Sequence, residues 1–286
     1  MLKEYYSLTK PGIVYGNGLV AVSGFLLAFF TFGPASFGTF FSMLLGLSLV
    51  IASGCVFNNY IDRDIDKKMA RTKKRPLITG AISPQQALWF ASLLGVGGLS
   101  VLYLFVNPLT MWLALALHVT YVVLYGYVKR HSTLGTVVGS VPGALPPVIG
   151  YVAITNNLDA AALILFATMV CWQMPHFYAI SIYRAKEYAS AGIPVLPLKK
   201  GIHLTKVYML FYIVAFGVTA SLLTFFEYTG FVYITLVIIL TILWLYKSVK
   251  GFQVDNSMKW ARTMFGLSLI VLLGLSGAIA FGAVLP

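Results

Sequence analysis

Charge is what this sequence has least of. Only 10% of its 286 residues are Asp, Glu, Lys or Arg, and just eight are acidic, whereas a soluble domain carries about 25% charged residues. That shortage excludes an ordinary soluble fold. Cysteine is also scarce. Cys55 and Cys171 stand in no C-x-x-C spacing, which excludes a disulfide framework and a thiolate zinc site and leaves two small packed residues. No short apolar core followed by a small-residue cleavage site opens the chain. Lys10 and Pro11 lead straight into a long apolar run, so this run is expected to be retained rather than cleaved.

The apolar residues make up 59% of the chain and arrive in blocks. Val20–Phe32, Phe40–Phe57, Leu109–Val128, Ala160–Met174, Val207–Phe226, Phe231–Tyr246 and Met264–Leu285 are nearly free of charge. Blocks of about 20 residues match a hydrocarbon core of roughly 30 Å. With the weaker blocks they predict nine transmembrane helices near 11–32, 38–59, 84–106, 109–128, 134–154, 160–182, 205–226, 229–249 and 263–285. The expected fold class is all-α, a multi-pass bundle forming one domain over 1–286 with a cytoplasmic N-terminus. With the loops alternating from that end, the cytoplasmic segments hold 2, 7, 2, 5 and 4 Lys plus Arg, which is all 20 in the chain. The external loops hold only Asp159 and Glu227. This is a complete positive-inside split. The net charge of +12 is therefore a topology signal, and a nucleic-acid partner is disfavoured.

Two cytoplasmic loops, 60–80 and 183–203, are long, and the polar chemistry gathers where they leave the membrane. In the first, Asn58, Asp62 and Asp66 stand at i, i+4 and i+8, on one face of a helix within about 80° of arc. Two carboxylates and an amide oxygen are hard ligands that suit Mg²⁺, which one or two carboxylates plus substrate phosphates typically hold. A solvated loop whose acids balance Lys67, Lys68 and Arg71–Arg75 is the plainer reading. Against it, Asn58 and Asn59 end an apolar helix at the membrane surface, where polar residues are expensive. The basic run is suited to anionic lipid or to a pyrophosphate head group.

The second segment reads Trp172-Gln173-Met174-Pro175-His176-Phe177-Tyr178, followed by Arg184, Glu187 and Lys199-Lys200. Pro175 is expected to break or kink the sixth span, with Gln173 and His176 lining the cavity so opened. His118 reads as packed, and His131 and His203 as solvated surface residues.

These residues resemble the UbiA-type intramembrane prenyltransferases over nearly the whole chain. The likeness rests on Thr9-Lys10-Pro11-Gly12, the stretch from Ala52 to Asp66, Lys129-Arg130-His131-Ser132, Gly139-Ser140 and Pro146 to Tyr151. Trp172 to His176 and Ile193-Pro194-Val195-Leu196-Pro197 are similar to its haem-modifying branch in particular. Where the wider family has a second motif with several aspartates, this chain offers Glu187 alone, with Arg184 before it.

The resemblance implies farnesyl transfer from farnesyl diphosphate to a vinyl group of haem B, giving haem O for terminal oxidases. Mg²⁺ on Asn58, Asp62 and Asp66 would bridge the phosphates. Asn59, Arg63, Lys67, Arg71, Gln173, Arg184, Glu187, Lys199 and Lys200 would contact substrate, and His176 would position the haem or assist proton transfer. The charge split and the two long loops place the expected active site at the cytoplasmic face, and together with the bare N-terminus they lead to the expectation of a bacterial plasma membrane; hand-over to haem A synthase or a terminal oxidase is expected to follow. Three other readings stay open: a prenyltransferase with another aromatic acceptor, a transporter, or an assembly subunit of a respiratory complex.

Overall fold

A backbone that crosses lipid must satisfy its own hydrogen bonds, so helices are the natural outcome for these apolar runs. The computed structural model describes residues 1–286 and contains no strand. A short α1 (Leu2–Leu8) precedes α2 (Pro11–Phe32) and α3 (Phe37–Ile61). Two single-turn helices, α4 (Arg63–Asp66) and α5 (Pro76–Thr79), occupy the first long connection. Then come α6 (Pro84–Phe105), α7 (Pro108–Val119), a π-helical segment (Thr120–Tyr125) continuous with α8 (Gly126–His131), α9 (Gly135–Thr155) and α10 (Ala160–Tyr183). The second long connection holds α11 (Ala185–Ser190) and α12 (Leu196–Lys200), and α13 (Ile202–Phe225), α14 (Phe231–Lys250) and α15 (Ser257–Phe281) complete the chain. Nine helices are long and apolar enough to cross a membrane, the fourth being the continuous run Pro108–His131.

The helix starts are written locally. Ser36, Asn107, Asp159 and Asn256 accept a backbone N–H three residues on. Ser83 and Gln86 form a reciprocal capping box, each device satisfying N–H groups that a helix start leaves orphaned.

Small residues set the crossings, as in membrane bundles generally. Helices α2 and α9 meet at Gly24 and Gly150, where an added Cβ would lie 1.9 Å from the carbonyl oxygens of Pro147 and Ala21 respectively. Helices α3 and α6 meet at Gly46 and Gly98, and Ser53 Oγ donates to the Ala91 carbonyl across them. Large apolar side chains such as Trp89, Phe105, Trp112, Phe211 and Phe225 point outward, the inversion that a lipid surround permits.

Three local features depart from the sequence-based expectation. Helix α10 runs unbroken from Ala160 to Tyr183 through Pro175, because the proline removes a single backbone bond in a helix held on several sides, by α9, α13 and α15. Lys129 and Arg130, expected in a loop, form the last turn of α8. The segment 120–125 widens to a π-helix, which shifts the helical phase of α8 relative to α7.

Candidate active site

The expected carboxylate face survives the end of α3. Asp62 N–H donates to the Asn58 carbonyl at 2.9 Å and Asp66 N–H to the Asp62 carbonyl at 2.8 Å, so the i, i+4, i+8 register continues across the junction into α4. Asn58, Asn59, Asp62 and Asp66 are all buried. Burying a carboxylate in apolar surroundings is costly unless a cation faces it, and here each one has its own. Lys129 Nζ lies 2.5 Å from Asp62 Oδ2, and Arg130 Nη2 3.5 Å from Asp62 Oδ1. Arg75 pairs with Asp66. Lys10 Nζ donates to Asn58 Oδ1 at 2.8 Å.

Several elements bring these cations in. Lys10 sits at the α1–α2 junction in the left-handed region, φ 51° and ψ 67°, a conformation unusual for a residue with a side chain and found where surrounding structure enforces it. Asn59 Nδ2 fixes the junction by donating to the Leu8 carbonyl at 2.8 Å. Burial pushes the Lys10 ammonium down to about 8. Lys129 is aimed from the last turn of α8, beyond the π segment, and its ammonium also lies 4.9 Å from the Tyr125 ring centroid. Gly135 permits that placement, since a Cβ there would fall 2.6 Å from the Lys129 Cα. Arg75 returns from the first long connection, whose Thr72 Oγ1 donates to the Asp66 carbonyl at 2.8 Å.

The two long connections meet. Ile65, Met69 and Ala191 form a small apolar cluster with Tyr188 and Ile193 beside it. Glu187 binds Arg184 at 3.3 Å and faces Arg71 at 3.8 Å, so it ties basic residues of both connections together. The remaining expected residues lie elsewhere. Arg63 stacks on Tyr60, 3.9 Å from its ring centroid, and with Lys67, Asp64 and Leu77 lines a separate cavity of about 510 Å³. Asp64 points away and takes two hydrogen bonds from Arg130, at 2.8 and 2.9 Å; that guanidinium holds its carboxyl below the usual range. Lys199 and Lys200 are exposed at the end of α12.

Deeper in α10, Gln173 and His176 face different helices. Gln173 Nε2 donates to the Ser140 and Met169 carbonyls, both at 3.1 Å, and fills the notch at Gly143 on α9. His176 instead packs on α15, with Nδ1 2.7 Å from Ser268 Oγ.

A metal fits this donor set. No group of three His, Cys, Asp or Glu side chains converges anywhere, so a resident ion would depend on the two carboxylates, the Asn58 amide and oxygens brought by a ligand. That is how Mg²⁺ is ordinarily held beside phosphates. Asn58 Nδ2 and Asn59 Oδ1 are buried without partners, leaving one donor and one acceptor for a ligand at this spot. Sequence reasoning missed Lys10, Arg75, Lys129 and Arg130 as carboxylate and amide partners. Their positions depend on which helix ends meet: Lys10 comes in on its left-handed backbone, Lys129 and Arg130 beyond the π segment, and Arg75 on the return of the first long connection.

The family model described as the UbiA prenyltransferase family matches residues 18–270. A protein of Serratia proteamaculans named protoheme IX farnesyltransferase is 50% identical over 277 residues, covering 96% of this chain and 93% of its own. A protein of the same name from Protochlamydia amoebophila is 48% identical over 284 residues, covering 99% and 100%. Among solved structures, one concerning digeranylgeranylglyceryl phosphate synthase in membranes superposes with a TM-score of 0.82 at 21% identity, covering 99% of this chain and 98% of that one. A UbiA homologue from Archaeoglobus fulgidus bound to GPP and Mg²⁺ superposes with a TM-score of 0.68 at 16% identity, covering 96% and 99%.

Proposed function

Because this chain belongs to the UbiA prenyltransferase family, we propose that it transfers a farnesyl group from farnesyl diphosphate to a vinyl group of haem B, giving haem O and diphosphate. The observation that carries this reading is near-complete alignment, at 50% identity, with a protein named for that activity. The buried Asn58, Asp62 and Asp66 face supplies the site.

Asn58, Asp62 and Asp66 would hold Mg²⁺. When bound, the ion neutralises charge on the leaving diphosphate as a Lewis acid. Lys10, Arg75, Lys129 and Arg130 already surround that face. As diphosphate oxygens arrive, these cations turn from carboxylate to phosphate and stabilise negative charge where it develops. Arg71 and Arg184, gathered by Glu187, extend the positive field on one side. Arg63, Lys67, Lys199 and Lys200 contribute at longer range and guide the donor in.

The C1–oxygen bond of the donor breaks, with its electron pair going to the diphosphate. The vinyl π electrons form the new carbon–carbon bond, water adds at the neighbouring carbon and one proton is released. The apolar bundle keeps other water from the allylic cation. His176 orients the acceptor. The basic end of the bundle is the cytoplasmic face of a bacterial plasma membrane, with onward transfer of product to haem A synthase or a terminal oxidase.

The test is incubation of purified protein with haem B, farnesyl diphosphate and Mg²⁺, with products read by mass spectrometry. The expected product is haem heavier by one farnesyl group plus water, absent with Asp62→Asn, Asp66→Asn or chelator. Unmodified haem from folded protein that consumes farnesyl diphosphate would move the acceptor to another aromatic molecule.

A further inference from the structure

His176 is held in one orientation by groups the proposed reaction does not otherwise use. Its ring stacks on Trp172 at 5.0 Å between centroids and packs against Phe265 at 4.9 Å. Trp172 Nε1 donates to the Ser268 carbonyl at 2.8 Å, which fixes Ser268 of α15 beside the same turn of α10.

The hydrogen-bond geometry is matched by one tautomer in particular. The Ser268 hydroxyl has one proton, and it donates that proton to the Phe265 carbonyl at 2.6 Å. Toward His176, 2.7 Å away, Ser268 Oγ can only accept. With the hydroxyl so directed, the imidazole proton sits on Nδ1. In a neutral ring, the inexpensive state within an apolar span, Nε2 then carries the free lone pair. No protein group hydrogen-bonds Nε2, and it is not among the sealed polar atoms of the interior. His176 itself is half-buried. An imidazole with Nδ1–H anchored to an oxygen and Nε2 open is the arrangement in which proteins present histidine to a metal, the anchor setting tautomer and direction.

We propose that His176 Nε2 binds the iron of the haem acceptor, with Ser268 as the positioning residue. This rests on haem B being the acceptor and adds to that reading how the macrocycle is oriented. His176 lies eight residues before Arg184 on one helix, so the iron would sit roughly 12 Å below the basic end at about 1.5 Å per residue. That depth places the macrocycle among the spans while the diphosphate stays at the rim.

The experiment uses full-length protein in detergent with ferric haem B and, separately, metal-free protoporphyrin IX, read by absorption and electron paramagnetic resonance. Wild type is expected to show an imidazole-ligated haem spectrum. His176→Ala should lose that spectrum and regain it with added imidazole. Ser268→Ala should weaken haem binding by roughly 10–100-fold, the usual effect of removing such an anchor, while leaving protoporphyrin affinity unchanged; it also carries the test if His176→Ala does not fold. An unchanged haem spectrum in both variants, with wild type still forming haem O, overturns the iron assignment and leaves the farnesyl-transfer reading standing. Wild type that neither binds nor modifies haem overturns both.

Discussion

Lys129 Nζ reaches Asp62 Oδ2 at 2.5 Å across 67 positions of sequence, and both side chains are buried. The pair joins the end of α3 to the end of α8. On the proposed reading it makes one residue answerable for two things, the neutralisation of a buried carboxylate and the charge that would be offered to a diphosphate.

Separating those duties needs a double substitution. Lys129→Met leaves Asp62 with only the Arg130 guanidinium at 3.5 Å and should cost somewhat less than the roughly 3–5 kcal/mol of a fully unpaired buried charge, seen as a lower midpoint of thermal unfolding in detergent. Adding Asp62→Asn should recover most of that stability, because removing both charges is close to neutral, yet farnesyl transfer should stay abolished. Recovery of activity in the double variant would show that Asp62 serves only as a counter-ion.

Mg²⁺ and inorganic diphosphate should protect the protein together far more than either does alone. The carboxylates already hold cations of the chain, so on the proposed reading the metal would gain its full ligand set only when phosphate oxygens draw those cations away. At 100 times the joint dissociation constant the stabilisation is about 2.7 kcal/mol, readable as a thermal shift. Equal shifts from Mg²⁺ alone would contradict the exchange.

Lys10 gives a pH signature. Its folded value of about 8 lies below that of an unfolded lysine, about 10.4. Between the two, the unfolded chain binds the extra proton, so stability rises with pH across that window and falls as pH drops through 8. Lys10→Met should flatten the rise between about pH 8 and 10 in thermal unfolding. An identical slope in the variant would assign the titration elsewhere.

Gly24→Ala and Gly150→Ala should each cost more than the roughly 1–3 kcal/mol usual for overpacking. The atoms met at 1.9 Å are backbone oxygens, which have no rotamer to yield. Gly143→Ala meets only the Gln173 side-chain amide at 2.1 Å and should be partly rescued by Gln173→Ala. Thermal unfolding of the three single variants and the Gly143→Ala, Gln173→Ala double variant decides this.

The nine spans were legible because lipid imposes length and apolarity on every crossing, and the observed bounds fall within a few residues of the predicted ones except at some loop ends. The spacing of Asn58, Asp62 and Asp66 was legible because helical register is local. The partners of these residues were not. Lys10 required a left-handed backbone, and Lys129 required a π segment that no residue type announces. Pro175 does not break the span, because the helix is packed on several sides by α9, α13 and α15. Their spacing predicts that Gln173 and His176 line one cavity, whereas their side chains diverge toward Ser140 and Ser268.

The self-paired state of the site bears on turnover. Cations left bare by a departing diphosphate would hold it back, since each would return to a largely buried position without a counter-charge. Lys129 and Arg75 instead have Asp62 and Asp66 to fall back on. On the proposed reading, release is an exchange of one anion for another, and the contacts that would grip the product would also let it go.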